Sequence, residues 1–492
     1  MNIASRHSWG HQSIVVRQCP LRQGKGTVHR RVRRCALPSR SSSTSRSLQS
    51  HAGGDHREFE CPSGNRESWD IVIVGSGVIG LYTAYEILRM GYRVAVIEKH
   101  DRLCAGATGA GQGYIWMCHR DPLAVGAWNM AMQSRERWDE LLASCKDNYD
   151  SVPLFDRNGS LLIANTPDEE AALRARAALL EQHGLHPVYL ASRNDVERQE
   201  PALKHANLDI KSGIIVHEDG QIDGKLTTQI LHDLCMSYGD RFRCIFGNAV
   251  EELCMSPSRA PLEVQGVRLE NGNIVHSDAV IVCAGAWSGQ LLSSWLTDES
   301  RELWKDTIVP RRGHLLVMKT SDTQNAAHRN LRYGIMESSY TKHYSSSPAK
   351  QYDITFTATE NTMNNTLMIG SSRELPNEGQ WSQEINKECR DDILDLARLY
   401  LPELLKDAKL IETRVGLRPF SLGHRDHRPY IGPVPQTHGL FIAAGHEGSG
   451  LTLAPSTADI ITHHLEDKGY IRRGAHASTV DTSILSYSNM FD

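Results

Sequence analysis

Four arginines lie in a turn-rich stretch between two apolar runs, TRVGLRPFSLGHRDHRPYIG (413–432): Arg414, Arg418, Arg425 and Arg428. A guanidinium group is always charged and offers a fork of donors that matches a carboxylate or a phosphate. Arg418 stands between Leu417 and Pro419, and the proline holds residue 418 in an extended conformation. A charge at the end of a strand needs an anionic partner, so the pattern predicts that Arg418 binds an anion. The other three arginines are interpreted as loop or structural charges.

A glycine-rich turn follows the first strongly apolar run of the globular part, in WDIVIVGSGVIGLYTAYEILRMGYRVAVIEK (69–99). Gly75, Gly77 and Gly80 come after a predicted buried strand and open a predicted helix, and Glu98 closes the second strand. This is the complete dinucleotide-binding fingerprint. The glycines bring the backbone close to a pyrophosphate at a helix N-terminus, and the acid accepts hydrogen bonds from ribose hydroxyls. The sequence therefore predicts a bound dinucleotide.

The overall composition is that of an ordinary globular protein, with 492 residues of which 40% are hydrophobic and 23% charged. The net charge of −4 and the lack of a basic stripe in the globular part argue against nucleic-acid binding. No apolar run approaches the ~18 residues of a membrane helix, so no membrane span is predicted. Eleven cysteines without a CxxC pair indicate reduced thiols. Arginines flank His424, Asp426 and His427 and would repel a cation, so no metal site is predicted.

The first part of the chain differs in composition from the rest. Residues 1–54 contain no Asp or Glu, while arginine and serine dominate, as in RRVRRCALPSRSSSTSRS. This bias is typical of an organelle transit peptide. VRRCA resembles a plastid processing site, which favours the chloroplast, although a mitochondrial presequence has a similar composition. A disordered basic arm is the alternative, and in either case residues 1–66 are expected to lie outside the fold.

The remaining elements alternate between nucleotide-domain and antiparallel patterns. We expect a hairpin-like strand pair in 154–166, a helix in 167–183, and a strand, glycine turn and helix in both 279–292 and 439–465. Residues 311–319, 351–359 and 366–372 alternate like an antiparallel sheet, and 383–401 reads as a helix. The predicted fold class is α/β: a Rossmann-like domain interrupted by an antiparallel α+β substrate domain.

Domain boundaries follow from these interruptions. The nucleotide-binding domain is predicted to consist of residues 67–150, 211–305 and 406–470. The substrate domain is predicted to consist of residues 151–210 and 306–405, and residues 471–492 are left as a C-terminal tail.

Six motifs, in order, resemble the D-amino-acid oxidase superfamily, and most closely its glycine oxidase and D-amino-acid dehydrogenase branch. They are GSGVIG with VIEK, GATGAGQG (106–113), CAGAWS (283–288), RRGH (311–314), GLRP with DHRPYIG (426–432), and AAGHEGSGLTLAP (443–455). The resemblance covers residues 69 to about 468 and implies a flavoprotein that holds FAD. The residues that it places against FAD are Gly75, Gly77, Gly80, Glu98, Ala107, Thr108, Gly111, Gln112, Gly113, Val250, Ala284, Gly285, Gly445, Gly448 and Gly450.

The resemblance also implies a substrate site. In this family the arginine of GLRP binds the carboxylate of the substrate. Here that arginine is Arg418, and the implied substrate is a small amino or imino acid. Hydride then passes from Cα to flavin N5, and oxygen or a quinone-like acceptor reoxidises the cofactor. Phe356 aligns with a tyrosine that helps to hold the carboxylate in close relatives, which points to a bulkier or N-substituted substrate. His446 is either a flavin neighbour or a hydrogen-bonded loop histidine.

Two other functions remain open at this point, and the sequence leaves the oligomeric state undetermined. One is a demethylating oxidase of sarcosine type, against which GLRP argues. The other is an organellar assembly or stabilising factor that binds FAD without turnover. Arg418 and the intact glycine loops favour catalysis over this second alternative.

Overall fold

A central parallel strand pair organises the nucleotide-binding part, as the glycine fingerprint predicts. The structure is a computed structural model that describes residues 68–145, 156–256, 262–296, 298–320, 331–341, 352–361, 366–375, 381–472 and 480–487. The predicted transit peptide lies outside these residues and stays a prediction. Among the described residues, no helix is both long and apolar enough to cross a membrane.

The nucleotide-binding sheet has nine strands, with β1 near its centre. Its strands are β1 (Ser68–Val74), β2 (Val94–Ile97), β8 (Phe242–Ile245), β9 (Val250–Met255), β10 (Leu262–Leu269), β11 (Ile274–Val282), β17 (Tyr430–Pro433), β18 (Thr437–His438) and β19 (Leu440–Ala444). The main order is β17-β19-β11-β1-β2-β8, and β1 is parallel to both of its neighbours. Ile71, Val72 and Ile73 are fully buried because helices and loops cover both faces of the sheet.

The second sheet has eight strands and forms the substrate domain. Its strands are β4 (Ser160–Ala164), β5 (Val188–Leu190), β6 (Ser212–Val216), β12 (Ile308–Lys319), β13 (Gly334–Glu337), β14 (Tyr352–Asn361), β15 (Thr366–Glu374) and β16 (Lys409–Ser421), in the order β16-β12-β15-β14-β13-β4-β6-β5. The three segments that alternate in the sequence are β12, β14 and β15, and they pair antiparallel as predicted. A separate two-stranded ribbon joins β3 (Tyr114–Ile115) to β7 (Gly220–Gln221).

Twelve helices accompany the strands in the described part of the chain. They are α1 (Val78–Arg89), α2 (Ala107–Ala110), α3 (Val125–Cys145), α4 (Pro167–Gln182), α5 (Arg193–Gln199), α6 (Gly224–Met236), α7 (Ser288–Trp295), α8 (Asp298–Trp304), α9 (Lys387–Tyr400), α10 (Pro402–Leu405), α11 (Gly450–Asp467) and α12 (Thr482–Tyr487). Helix α11 packs between α1 and α3, and α9 covers β14 and β15. A capping box between Thr166 and Glu169 starts α4, next to the predicted Pro167.

Two sequence expectations about strands were wrong. In the described part of the predicted hairpin, residues 156–166, there is one strand, β4, which pairs with the distant β6 and β13 instead of a local partner. The predicted domain boundaries also need correction, since β6 and β16 were assigned to the nucleotide-binding domain but lie in the eight-stranded sheet. Both errors have one cause: alternation identifies a strand but does not say which sheet edge the strand joins.

Two buried carboxyl groups anchor the chain as it enters β13. Glu200 Oε2 accepts hydrogen bonds from the backbone N–H groups of Arg332 (2.8 Å) and Tyr333 (3.1 Å), and Glu360 Oε2 accepts one from Leu331 (2.9 Å). Burial raises the pKa of each carboxyl to about 7, against the effect of these hydrogen bonds, and the charge of Glu200 raises the pKa of Glu360 further. The folded protein therefore binds protons here that the unfolded chain has released.

This pair predicts a loss of stability as pH rises from about 4.5 to about 7, because only the unfolded carboxyl groups ionise freely in that range. Glu360→Gln keeps an acceptor and removes one charge, so the variant should melt about 2–4 °C above the parent protein at pH 8 and gain nothing at pH 4.5. Thermal melts at both pH values check this. The exposed Glu403→Gln is the control, and an equal shift at both pH values would contradict the linkage.

Candidate active site

A single cavity runs along the carboxyl ends of β1, β2 and β11 and ends between the two sheets. Its wall contains both predicted glycine loops, the end of β2, the start of α7, the turn before α11 and the β16 segment around Arg418. Ligands bind at this end of parallel strands in doubly wound folds. The structure thus brings together residues that are more than 300 positions apart in sequence, which the motif order alone does not do.

The first glycine loop is shaped by contacts that exclude side chains. A Cβ on Gly75 would lie 2.5 Å from the carbonyl oxygen of Cys283, and the φ of Gly75 is +111°. A Cβ on Gly80 would lie 2.0 Å from the carbonyl oxygen of Gly75, so the helix approaches the loop more closely than any other residue allows. Gly75 and Gly77 line the cavity, whereas Gly80 lies behind the loop and sets its position. The prediction that Gly80 touches the ligand is therefore corrected to a supporting role.

Glu98 stands at the end of β2 and faces the cavity, as predicted. Its Oε2 accepts hydrogen bonds from the backbone N–H (3.0 Å) and hydroxyl (2.8 Å) of Ser76, and its Oε1 accepts one from the N–H of His100 (3.0 Å). These contacts fix the carboxylate while each oxygen keeps further acceptor capacity. The next residue, Lys99, places its Nζ 3.4 Å from the ring centroid of Trp287 on the same wall. No motif or spacing in the sequence predicted this cation–π pair.

The second glycine loop, residues 106–113, connects the two sheets. Gln112 Nε2 donates to the carbonyl of Met368 (2.9 Å), and its Oε1 accepts from the hydroxyl of Thr357 (3.0 Å). A Cβ on Gly113, whose φ is +92°, would lie 1.9 Å from the carbonyl oxygen of Ile222. The hydroxyl of Thr108 accepts from the N–H of Val78 at 3.3 Å. This threonine therefore caps the first turn of α1 as well as lining the cavity.

The remaining predicted cofactor residues come from four separate segments of the chain. Ala107, Gly111, Val250, Ala284, Gly285, Gly448 and Gly450 all line the cavity. Gly445 does not; its φ of +91° turns the chain from β19 towards α11 behind the wall. Helix α11 begins at Gly450, so its N-terminal N–H groups and positive end of the helix dipole lie at the cavity.

Arg418 projects from β16 into the cavity wall. Its Nη1 donates to the carbonyl of Ser372 (2.8 Å), and its guanidinium covers Gly313 so closely that a Cβ there would lie 2.3 Å from Nη2. The glycine of RRGH therefore makes room for the arginine of GLRP. The neighbouring strand fixes the fork in one direction, which suits recognition of a planar anion.

Phe356 lies elsewhere, and its predicted role is corrected. Its ring stacks on Tyr400 with 4.0 Å between centroids, within the apolar core under α9, and it is 1% exposed. Its N–H donates to Glu337 (2.8 Å). The residues on either side of it in β14 point the other way, and Thr357 is the one that contacts the cavity loop. The argument for a bulkier substrate that rested on Phe356 therefore falls.

His446 lines the cavity and is a hydrogen-bonded loop histidine, and its place beside the flavin stays a prediction. Its Nε2 contacts the hydroxyl of Thr457 at 2.9 Å, and the side chain is buried. Burial lowers the pKa of its imidazole to about 3, so the ring is neutral at physiological pH. His314 and Glu447 also line the cavity and were not predicted as site residues. Both residues lay within recognised motifs, His314 in RRGH and Glu447 in AAGHEGSGLTLAP, but the motifs did not single them out as site residues.

Comparison with known proteins identifies the group to which this arrangement belongs. The family described as FAD dependent oxidoreductase (DAO) matches the chain over residues 70–464. The chain belongs to this family. It is 23% identical over 401 residues to the glycine oxidase of Geobacillus kaustophilus, covering 81% of this chain and 93% of the relative. It is 26% identical over 407 residues to the glycine oxidase of Pseudomonas putida, covering 80% of this chain and 94% of the relative.

Solved structures show the same fold. The crystal structure of glycine oxidase from Geobacillus kaustophilus gives a TM-score of 0.67 at 20% identity and covers 86% of this chain and all of that one. L-proline dehydrogenase from P. horikoshii gives 0.64 at 16% identity, covering 86% and 98%. Iminodiacetate oxidase from Chelativorans sp. BNC1 gives 0.62 at 21% identity, covering 82% and 97%. At these identities the likeness concerns the fold.

FAD is the cofactor of this DAO family member, and the cavity fits it. Three observations carry the fit: backbone packed too tightly for side chains at Gly75 and Gly113, a fixed carboxylate at Glu98, and two helix N-termini at one wall. The glycine loops and the start of α1 would hold the pyrophosphate, and Glu98 would hold a ribose. The turn before α11 would face the flavin end.

Removal of the Glu98 carboxylate should weaken FAD binding. Glu98→Ala loses a charge-assisted acceptor and also releases Ser76, so we expect the affinity for FAD to fall about 10- to 100-fold. Flavin fluorescence titration of the apoprotein measures this. Asp101→Ala, which removes an acid that is 85% exposed three residues later, is the control. An unchanged dissociation constant in Glu98→Ala would contradict the assignment.

Proposed function

We propose that this DAO family member oxidises the C–N bond of a small amino or imino acid. The observation that carries the proposal is Arg418, a guanidinium fixed by Ser372 and Gly313 in the wall of the FAD-binding cavity. A fixed fork of donors fits the α-carboxylate that all such substrates share. The names of the relatives support the substrate class, since glycine oxidases and an iminodiacetate oxidase are among them.

The chain's own residues contribute positioning and charge. Arg418 binds the carboxylate in two hydrogen bonds, which fixes the adjacent Cα and removes much of the entropic cost of reaching the reacting geometry. The imidazole of His446, held neutral by burial, adds no positive charge that would repel an amine. FAD, when bound, supplies the two-electron acceptor. The substrate loses a hydride from Cα and a proton from nitrogen. Water hydrolyses the resulting imine to an oxo-acid and ammonia, or to an oxo-acid and an amine where the substrate nitrogen is substituted.

Anaerobic titration of the yellow protein with a panel of amino and imino acids tests this function. We expect bleaching of the flavin absorbance by a subset of carboxylate-bearing amines, and none by the same amines without the carboxylate. The rate of oxygen uptake is then compared with the rate of reduction of a quinone analogue, which identifies the acceptor that reoxidises FAD. Retention of FAD without bleaching by any member of the panel would instead favour a factor that binds FAD without turnover.

A further inference from the structure

Two arginines face each other across adjacent strands of the substrate sheet. Arg311 of β12 and Arg418 of β16 are direct partners in register, so their side chains project from the same face. The next residue, Arg312, projects from the opposite face, where its Nε donates to Glu374 at 2.9 Å. Like charges directly opposite each other destabilise a sheet pair. Their presence at the cavity end of the strands therefore indicates a shared anionic partner.

The protein supplies one such partner itself. Glu447, in the turn before α11, lines the cavity and places Oε1 3.6 Å from Nη1 of Arg311. Burial acts to raise the pKa of this carboxyl, but the charges of Arg418, Arg311 and Arg373 hold it below its usual value. Glu447 is thus a carboxylate that sits where both facing arginines act on it, which marks the position of an anion site.

The backbone of Glu447 has an unusual conformation. Its φ is +50°, in the left-handed region that costs a residue with a side chain free energy. Gly448 follows directly, and the turn is held from outside by Arg120, whose Nη2 donates to the hydroxyl of Ser449 at 3.3 Å. Because the backbone of Glu447 is strained here, a ligand carboxylate can displace its side chain from this basic site.

Arg373 contributes to the same field from the third strand. It lies opposite Asp353 in the pairing of β15 with β14, so it has an acid beside it. We therefore assign the second anion site to Arg311 and treat Arg373 as a source of long-range positive charge. The guanidinium of Arg311 lies over Phe420, with 4.7 Å between the guanidinium carbon and the ring centroid.

We propose that the substrate is an amino or imino acid with a second carboxylate, which binds Arg311 in the place that Glu447 occupies. This rests on the proposed function and narrows its substrate class. Arg418 binds the α-carboxylate, and Arg311 binds the carboxylate carried on the side chain or on nitrogen. Glu447 occupies that second position, so it disfavours substrates with one carboxylate, which do not displace it.

Two matched substrate pairs test the proposal on the FAD-loaded protein: DL-aspartate against DL-alanine, and iminodiacetate against sarcosine. Each pair differs by one carboxylate. We expect kcat/KM to favour the diacid in at least one pair. Arg311→Met keeps the packing on Phe420 and removes the charge, so it should lower this preference about 10- to 100-fold. Arg414→Met, whose arginine pairs with Glu412 at 2.9 Å away from this cluster, should keep it.

Glu447→Gln distinguishes two roles of Glu447: competition with the second carboxylate of the substrate, as proposed, and binding of the substrate amine. Loss of its charge should tighten binding of the diacid, because the internal competitor is weakened. Weaker binding of both members of a pair would overturn the proposal. A preference for the monoacid in the parent protein, or an unchanged preference in Arg311→Met, would also overturn it.

Calorimetric binding of succinate and butyrate makes the test independent of turnover. We expect succinate to bind more tightly, and Arg311→Met to abolish the difference. One outcome is that the parent protein binds succinate more tightly than butyrate and Arg311→Met loses that difference, while no amino acid is oxidised. In that case the proposed oxidation is wrong and the dicarboxylate site stands. If succinate binds no better than butyrate, the dicarboxylate site is wrong, whatever the turnover measurements give.

Discussion

Arg418→Lys is expected to retain FAD and to lose most amino-acid oxidation. Lysine keeps the charge but replaces a planar fork by one ammonium, which cannot make two parallel hydrogen bonds to a carboxylate. The Ser372 carbonyl and the space above Gly313 fit a guanidinium group. The shorter lysine side chain therefore also holds the substrate in a different position. Because small displacements in a reacting geometry are costly, we expect flavin reduction to slow about 100-fold or more.

Stopped-flow flavin reduction at saturating substrate measures this effect separately from binding. The control is Arg414→Lys. Arg414 lies four residues before Arg418 on the same strand, and its guanidinium pairs with Glu412 at 2.9 Å. It should reduce its flavin at nearly the parent rate. If Arg418→Lys does the same with any amino acid that the parent protein oxidises, the carboxylate assignment has to be abandoned.

Gly80→Ala should give a protein that is purified without FAD. The added Cβ would lie 2.0 Å from the carbonyl oxygen of Gly75, so the loop or α1 must move. Gly75 itself has a φ of +111° and no space to adjust, since Cys283 lies against it. The pyrophosphate site is lost with the loop, and the stabilisation that a tight ligand confers on the folded state is lost with it.

Flavin content after gel filtration and melting temperature with and without added FAD test this expectation. Gly91→Ala is a matched control at the other end of α1. Its φ of +99° strains an alanine too, but a Cβ there meets nothing within 4 Å. It should cost the fold about 1 kcal/mol and keep its FAD. Full flavin occupancy in Gly80→Ala would mean that the loop is softer than its packing indicates.

The local part of the site could be predicted from sequence. The turn from β1 to α1 is specified by residues within one βαβ unit, so the glycine positions and Glu98 determine its geometry. Arg418 could also be found, because the proline that follows it favours an extended backbone, as β16 has there. Residues 311–319, 351–359 and 366–372 were assigned to one antiparallel sheet for a similar reason: each carries its own period of two.

Phe356 shows where the sequence reading failed although the signal was present. In ITFTAT the apolar residues Ile354, Phe356 and Ala358 alternate with threonines, and this pattern places phenylalanine on the core face. The resemblance to relatives assigned it to the other face, and a shift of one residue is enough to reverse every side chain of a strand. The alternation was the better guide.

The facing of Arg311 and Arg418 could not be predicted in the same way. More than 100 residues separate them, and their contact depends on the pairing of β12 with β16, which no local pattern specifies. Glu447 lies in a third segment and reaches them through a left-handed turn at a residue that is not glycine. Long-range pairing and local strain are both outcomes of the complete fold.

The position of β1 in its sheet has a consequence for how the chain is made. This first strand is flanked by β11, which ends at Val282, with β19 beyond it, and α11 packs on α1 only after residue 450. At about 5–20 residues per second, a ribosome needs roughly 20–80 s to go from β1 to the end of α11. Throughout that interval the sheet around β1 is incomplete, and FAD has no finished site to bind. FAD binding can therefore stabilise the completed fold but cannot assist its early steps.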